Sequence, residues 1–434
     1  MKKPITYLLS CFALLLFLCL GQSVQAQQQT ITPTDTAGKT AASKPADTSA
    51  KKPAFKPAGR LWGYAFGDFY YKAHSDSLNR GGSNQYTNIA KNRNGFQLRR
   101  VYLGYDYDIS KKFSAEVLLA AEDNVTTSAG TGTAVATTSG DLLQDNKITF
   151  YIKLINIRWK NIWKGTDLVF GEVNTPGFPL LTEKIWAYRA VERTVSDIRR
   201  TPAFDLGATL QGTFDPETKN YGFDLMVGNG TLAKPTNSAF KWFYGDVYAK
   251  FLQKRLIIDL YADYEQNSYK VPSATLPVPA QSRSMVKGFV AWTTPKLTVG
   301  VEAFTNHLVG GALTTDAAKN KSYVNVNAVA LSAYVRGPIY KNKLGFFARY
   351  DSYNPNTSFN TAVTYTVPLI AQYDSNTKEQ FVTAGLDFTP IPNVHIMPNI
   401  WYNKYTAQQA NLTGRAASDY DLVYRLTAFF VFGK

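Results

Sequence analysis

From residue 61 to residue 434 apolar and polar positions alternate in segments of about ten residues, rich in Tyr, Phe, Val and Leu. No apolar run in this stretch reaches the length of a membrane-spanning helix. The alternation predicts strands at 61–71, 96–107, 113–123, 147–159, 167–174, 204–214, 221–229 and 240–252. It continues at 256–266, 284–293, 297–306, 323–337, 343–350, 380–388, 394–404 and 420–432, about sixteen strands in all. Connections at 108–112, 160–166, 215–220, 253–255, 294–296, 338–342 and 389–393 are tight, whereas those at 72–95, 124–146, 175–203 and 354–379 are long. Short turns at one end and long loops at the other are the habit of an outer-membrane barrel, and a soluble β-sandwich has no reason to keep that parity. The expected fold is an all-β, transmembrane antiparallel β-barrel.

The alternation also assigns faces. Val101, Leu103, Tyr105 and Tyr107 fall on the lipid side of the second strand, with Arg100, Tyr102, Gly104 and Asp106 opposite. In the last strand Leu422, Tyr424, Leu426, Ala428, Phe430 and Phe432 meet lipid, while Arg425 and Thr427 look inward. Aromatic residues alternating near the chain end resemble the signal read by the barrel-assembly machinery, although Gly433 and Lys434 follow the last Phe.

Ahead of the barrel, Lys2 and Lys3 precede an apolar run at 8–20 and then Val24-Gln25-Ala26, which reads as a secretory signal peptide over 1–26. The run is too short for a spanning anchor. Leu20 after Cys19 does not suit a lipidated chain start, where small or polar residues are usual. Both cysteines, Cys11 and Cys19, lie in this segment, so removing it leaves no thiol for disulfides, redox chemistry or thiolate metal sites. Residues 27–60 are rich in Thr, Ala, Pro, Lys and Gln with Phe55 as their one aromatic, too little apolar surface to offset ordering entropy. They read as a flexible periplasmic leader before a barrel at 61–434; contact with peptidoglycan or another partner is the alternative.

The formal charge of +15 invites a nucleic-acid reading, but the basic residues are dispersed, with no basic helix or stripe, so no nucleic acid is expected. Inferred inward positions are mixed: Arg100, Arg158, Lys250, Lys287, Arg336, Arg349 and Arg425 stand among Glu116, Glu172, Asp224, Asp246, Asp259, Asp263, Glu302 and Asp387. The expected pore wall therefore includes Arg100, Glu116, Arg158, Arg349 and Arg425. Such a wall departs from the uniformly basic path a strict phosphate channel calls for.

Three other function classes fit the residues less well. A barrel hydrolase needs a positioned base, and His74, His307 and His395 lack a serine two residues on, the spacing expected of a barrel phospholipase. His74 has Ser75 and Asp76 beside it, but sequence neighbours rarely meet in catalytic geometry. The chain is expected not to be an enzyme, with no catalytic residue, cofactor or metal. An adhesin or structural barrel would use loops such as 125–140, rich in Thr, Gly, Ser and Ala, yet about sixteen strands leave an aqueous lumen. A plugged transporter of about 22 strands does not fit the length.

The third long loop carries a family resemblance. Gly171-Glu172-Val173-Asn174-Thr175-Pro176-Gly177-Phe178, then Glu192-Arg193, then Phe204-Asp205-Leu206-Gly207, resembles the strand, inward loop and returning strand of the phosphate-selective porin O and P family. Leu98-Arg99-Arg100-Val101-Tyr102-Leu103-Gly104-Tyr105 and Lys112-Phe113-Ser114-Ala115-Glu116 are similar to its second and third strands. The resemblance implies a barrel of about sixteen strands, often a homotrimer, whose third external loop folds inward and narrows the pore. It places the chain in the outer membrane of a Gram-negative bacterium, in contact with membrane lipid and lipopolysaccharide, passing small hydrophilic or anionic solutes.

The residues of that loop support an inward fold independently, since 183–195 can form a short helix and Trp186 and Tyr188 favour packing. Its charges are Lys184, Arg189, Arg193, Arg199 and Arg200 against Glu183, Glu192 and Asp197. The expected constriction is Lys184, Arg189, Glu192, Arg193, Arg199 and Arg200. A basic neck between low-dielectric walls attracts anions, so modest anion preference is expected, phosphate included. Alternatively these groups pair with one another or with the wall and hold the loop in place.

Overall fold

The computed structural model describes residues 55–433 apart from 82–84, 88, 123–148, 200, 232–235, 237–238, 268–280, 366–374 and 410–416. The expected signal peptide, the leader as far as residue 54, the loop at 125–140 and Arg200 lie outside the described residues.

The strands are β1 (Ala58–His74), β2 (Asn94–Asp108), β3 (Phe113–Glu122), β4 (Tyr151–Trp163), β5 (Thr166–Asn174), β6 (Phe204–Thr213), β7 (Tyr221–Gly228) and β8 (Trp242–Phe251). They continue as β9 (Leu256–Asn267), β10 (Gln281–Thr293), β11 (Thr298–Thr315), β12 (Lys321–Tyr340), β13 (Leu344–Asn354), β14 (Thr364–Tyr365), β15 (Thr377–Phe388), β16 (Val394–Ala407) and β17 (Ser418–Phe432). The two-residue β14 pairs only with the end of β11, and β13 pairs directly with β15. The other sixteen form one antiparallel ring, closed where Gly63 through His74 of β1 pair with Phe432 through Leu422 of β17. Closure leaves no unpaired edge, which a lipid environment demands.

Boundaries differ from the sequence expectation where alternation is a poor guide. β1 begins at Ala58, ahead of the expected Leu61. β4 starts at Tyr151, later than expected, and runs on to Trp163 through an irregularity between Trp159 and Trp163. β11 extends far beyond 306, to Thr315, and β12 begins at Lys321, because the Val309-Gly310-Gly311 stretch that reads as loop is a bulge inside a long hairpin.

The faces follow from burial. Tyr424, Leu426, Phe430 and Phe432 are exposed on the outside, and Val423, Arg425 and Thr427 are buried inside. Exposed Tyr107, Trp163, Phe214, Tyr221, Tyr340 and Phe388 stand near the short turns, and Tyr71, Phe96, Tyr264 and Tyr424 near the loops, as aromatic girdles do. Where the 175–203 loop leaves and returns, the ladder pairs Gly171 with Gly207 and Gly207 with Gly228. Gly171 has φ of +128°, and a Cβ there would meet the Ile155 carbonyl oxygen at 2.2 Å. Gly171→Ala is therefore expected to destabilise the barrel by about 1–3 kcal/mol, read as a lower urea midpoint for loss of the folded form; an unchanged midpoint would contradict it.

In detergent the circular dichroism should be β-dominated, and unboiled protein should run ahead of boiled protein in gels. A band indifferent to heating would argue against the closed ring.

Candidate constriction site

The connection between β5 and β6 carries two short helices, α1 (Thr182–Trp186) and α2 (Val195–Ile198). Helix α1 ends on Ala187 in the left-handed region. The Thr194 side chain caps α2 by accepting from the Asp197 amide at 3.4 Å. Between them the chain is pressed against the inner face of distant strands. Trp186 is fully buried, its ring 4.9 Å from Tyr334 of β12 and 6.3 Å from Phe347 of β13. Ala190 and Val191 share that cluster with Phe66 of β1, Phe289 of β10 and Met397 of β16. Polar ties repeat the pattern: Arg99 donates to the Ala190 carbonyl at 2.7 Å, Arg336 to the Ile185 carbonyl at 3.0 Å, and Tyr188 to Asp387 at 3.1 Å. The loop thus crosses from its own strands to the far wall. A small cavity of about 10 Å³ lies between α2, Glu192 and the Tyr353, Phe381 and Trp401 side chains of that wall.

The loop charges are largely matched. Arg189 bridges Glu183 and Asp197, the latter at 2.9 Å. Arg193 lies 3.8 Å from Glu192 and 3.9 Å from Asp197. Arg199 reaches Glu379 on β15 at 2.8 Å and covers the Tyr353 ring at 4.0 Å. Lys184 is exposed. Glu192 accepts from Trp401 Nε1 at 2.7 Å, and its backbone carbonyl accepts from Trp186 Nε1 at 2.9 Å.

On the wall, Arg100 pairs with Glu122 at 3.0 Å, and Arg158 donates to Asp167 at 3.0 Å and to Gln211 at 2.7 Å. Glu116 accepts from Asn156 at 3.1 Å. Arg349 pairs with Asp351 at 2.6 Å, and Arg425 donates to Asn399 at 2.7 Å. Glu192, Arg349 and Arg425 come together with Arg99, whereas Arg158 and Glu116 stand apart with partners of their own. The histidines are taken up by nearby groups: His74 stacks on Tyr420 at 3.9 Å, His307 lies 2.6 Å from Asn327 and His395 2.9 Å from Asp387.

Two basic groups escaped the alternation. In the β1–β2 ladder Phe66 pairs with Arg100 and Gly67 with Leu98, so Arg99 is an extra residue, and its buried side chain meets Asp68 at 3.3 Å. In the β3–β4 ladder Leu118 pairs with Leu154 and Leu119 with Ile152, which leaves Lys153 as the extra residue, 2.5 Å from Glu122. Bulges of this kind re-aim a side chain. The adjacent charges in Leu98-Arg99-Arg100-Val101, on a strand with one face in lipid, are the signal for the first.

Burial alone would raise the Glu192 carboxyl, but Arg193, Arg99, Arg425 and Arg349 outweigh it and hold the group below the usual carboxylate range. A depressed folded value stabilises the folded state fully above the unfolded value and is lost only as pH falls through the folded one. The loop's tie at Glu192 should therefore survive from neutrality down to about pH 4.3, the ordinary Glu value. Loop loosening that began near pH 6, read as new conductance noise, would count against this tie.

No family model and no curated protein matches the chain. Solved structures do. The outer membrane channel DcaP of Acinetobacter baumannii aligns with a TM-score of 0.55 at 12% identity, over 87% of this chain and 99% of its own. The anion-selective porin from Comamonas acidovorans gives 0.54 at 10% identity, over 87% and 100%. OmpT of Vibrio cholerae gives 0.52 at 10% identity, over 88% and 99%. At these identities the likeness is one of fold: the chain has the closed sixteen-stranded barrel of outer-membrane proteins.

Proposed function

We propose that the chain is a porin of the Gram-negative outer membrane that lets small hydrophilic solutes diffuse passively, with a modest preference for anions, phosphate among them. The observation that carries this is the crossing of residues 175–203 to the far wall of a barrel that is apolar outside and charged inside. Fixed charges on a loop that crosses the lumen support this reading, because the field at a narrow neck decides which ion enters. Kinship with the phosphate-selective porin O and P family rests on the stretches around Leu98 and Gly171, and with it the homotrimer. Cross-linking in native membranes that yields monomers alone would remove the trimer.

The test is reconstitution in planar bilayers, with unit conductance and zero-current potential measured across a KCl gradient. Stepwise channels with a potential on the anion side are expected. The matching of the loop's charges to one another and to the wall favours a structural or adhesive barrel as the second account. Folded, heat-modifiable protein that never conducts would establish it.

A further inference from the structure

A second external loop also reaches the interior, and nothing in the alternation announced it. The end of β1 and the segment after it are tied to β17: Lys72 pairs with Asp421 at 2.9 Å, Asp421 accepts from the Asp76 amide at 2.8 Å, and Arg80 holds Asp76 at 2.7 Å. Lys72 Nζ also donates to the Tyr86 carbonyl at 2.6 Å. This bracing carries the Tyr86 side chain, fully buried, into a nest of inward groups. Its ring lies 5.4 Å from Trp401 and 5.5 Å from Tyr70. Its hydroxyl donates to Asp68 at 3.1 Å and accepts from Gln97 at 3.2 Å and from Arg425 at 3.4 Å.

Trp401 is the residue that holds Glu192, and Arg349 reaches the Glu192 carbonyl at 3.5 Å, so Tyr86 stands where the first and third loops meet the same wall. The guanidinium beneath it is unusual. Arg425 is buried, lies 5.6 Å from the Tyr86 ring centre, has no carboxylate within ion-pair distance among the described residues, and its Nη2 has no hydrogen-bond partner. A buried, incompletely satisfied cation is costly and attracts any anion that can reach it.

We infer that Tyr86 is a second constriction element: a wedge from the first external loop that fills the lumen beside Trp401 and screens Arg425 from permeating anions, thereby setting both conductance and ion preference. The inference rests on the porin function proposed above. Removing the wedge widens the path and uncovers a positive charge, so the two readouts move together, and only the second depends on Arg425.

The experiment compares single channels of wild type, Tyr86→Ala, Tyr86→Phe and the Tyr86→Ala/Arg425→Gln double variant, each first shown to be heat-modifiable. Tyr86→Ala should raise unit conductance about twofold and shift the zero-current potential towards anions. Tyr86→Phe, which keeps the ring, should leave conductance at the wild-type value. The double variant should keep the larger conductance and lose the added anion preference. Tyr86→Cys supplies a check should Tyr86→Ala fail to fold: a cationic thiol reagent added from the loop side should lower its current and leave wild type untouched. Tyr86→Ala channels with wild-type conductance and potential, or Tyr86→Cys channels indifferent to the reagent, would overturn the inference while the porin function stood. A wild type that folds and never conducts would take both down.

Discussion

Replacing Arg189 and Arg193 together with Glu is expected to turn the zero-current potential of the channel towards cations. Both guanidiniums sit on the loop that crosses the lumen, with Asp197 between them and Glu183 and Glu192 on their flanks. The double reversal leaves five carboxylates where two arginines had balanced three. Mixed charges elsewhere on the wall cannot offset this, because exposed charges beyond about 10 Å are screened at physiological salt. Breaking the Arg189 bridges costs local stability, on the order of 3–5 kcal/mol for a buried pair losing one partner. The loop has other anchors in Trp186, Tyr188 and Arg199, so it should stay in the lumen while its sign changes. Reversing Lys51 and Lys52, which precede the first strand in the sequence, is the control and should change nothing. A double variant with the wild-type potential would mean that the two arginines serve only to tie the loop.

Much of the ring was legible in the sequence, because one physical rule fixes it. A wall between lipid and water must alternate, and Val101, Leu103 and Tyr105, or Leu422, Tyr424 and Leu426, announce their faces directly. The rule fails where the backbone departs from strict pleating. Arg99 and Lys153 turn inward only because a bulge inserts each as an extra residue, and a bulge is a choice of the paired strands, not of one segment. Gly310 and Gly311 look like loop and lie in a hairpin arm, in a bulge flanked by the Leu308–Val326 and Ala312–Val324 pairs. The third loop's inward course could be read from Trp186 and Tyr188, but its partners could not. Glu379, Trp401 and Arg349 lie 157 to 209 residues away in the chain from their loop partners, and only closure of the ring brings them near. Tyr86 is the same case in a segment that sequence alone left blank.

Glu192→Gln should move the potential the other way, towards anions, and by an amount that separates charge from anchoring. Glu192 is 3% exposed, and Arg193, Arg99, Arg425 and Arg349 are the cations it serves. Of the other carboxylates near them, Asp68 is engaged with Arg99 and Asp351 with Arg349. Removing the Glu192 charge therefore leaves a net positive cluster at the meeting point of loop and wall, where low dielectric magnifies it. The side chain also has a mechanical task, since Trp401 Nε1 at 2.7 Å and the Arg193 amide at 3.0 Å donate to its two oxygens. A glutamine keeps the shape but offers one acceptor, so one donor loses its partner at a cost of about 1–3 kcal/mol. Trp401→Phe isolates this second effect, because it deletes the donor and changes no charge. It should increase fluctuations of the open-channel current, as the loop loosens, with the potential unmoved. If Trp401→Phe shifted selectivity as far as Glu192→Gln, the ion preference would belong to the position of the loop and not to the charge that Glu192 carries.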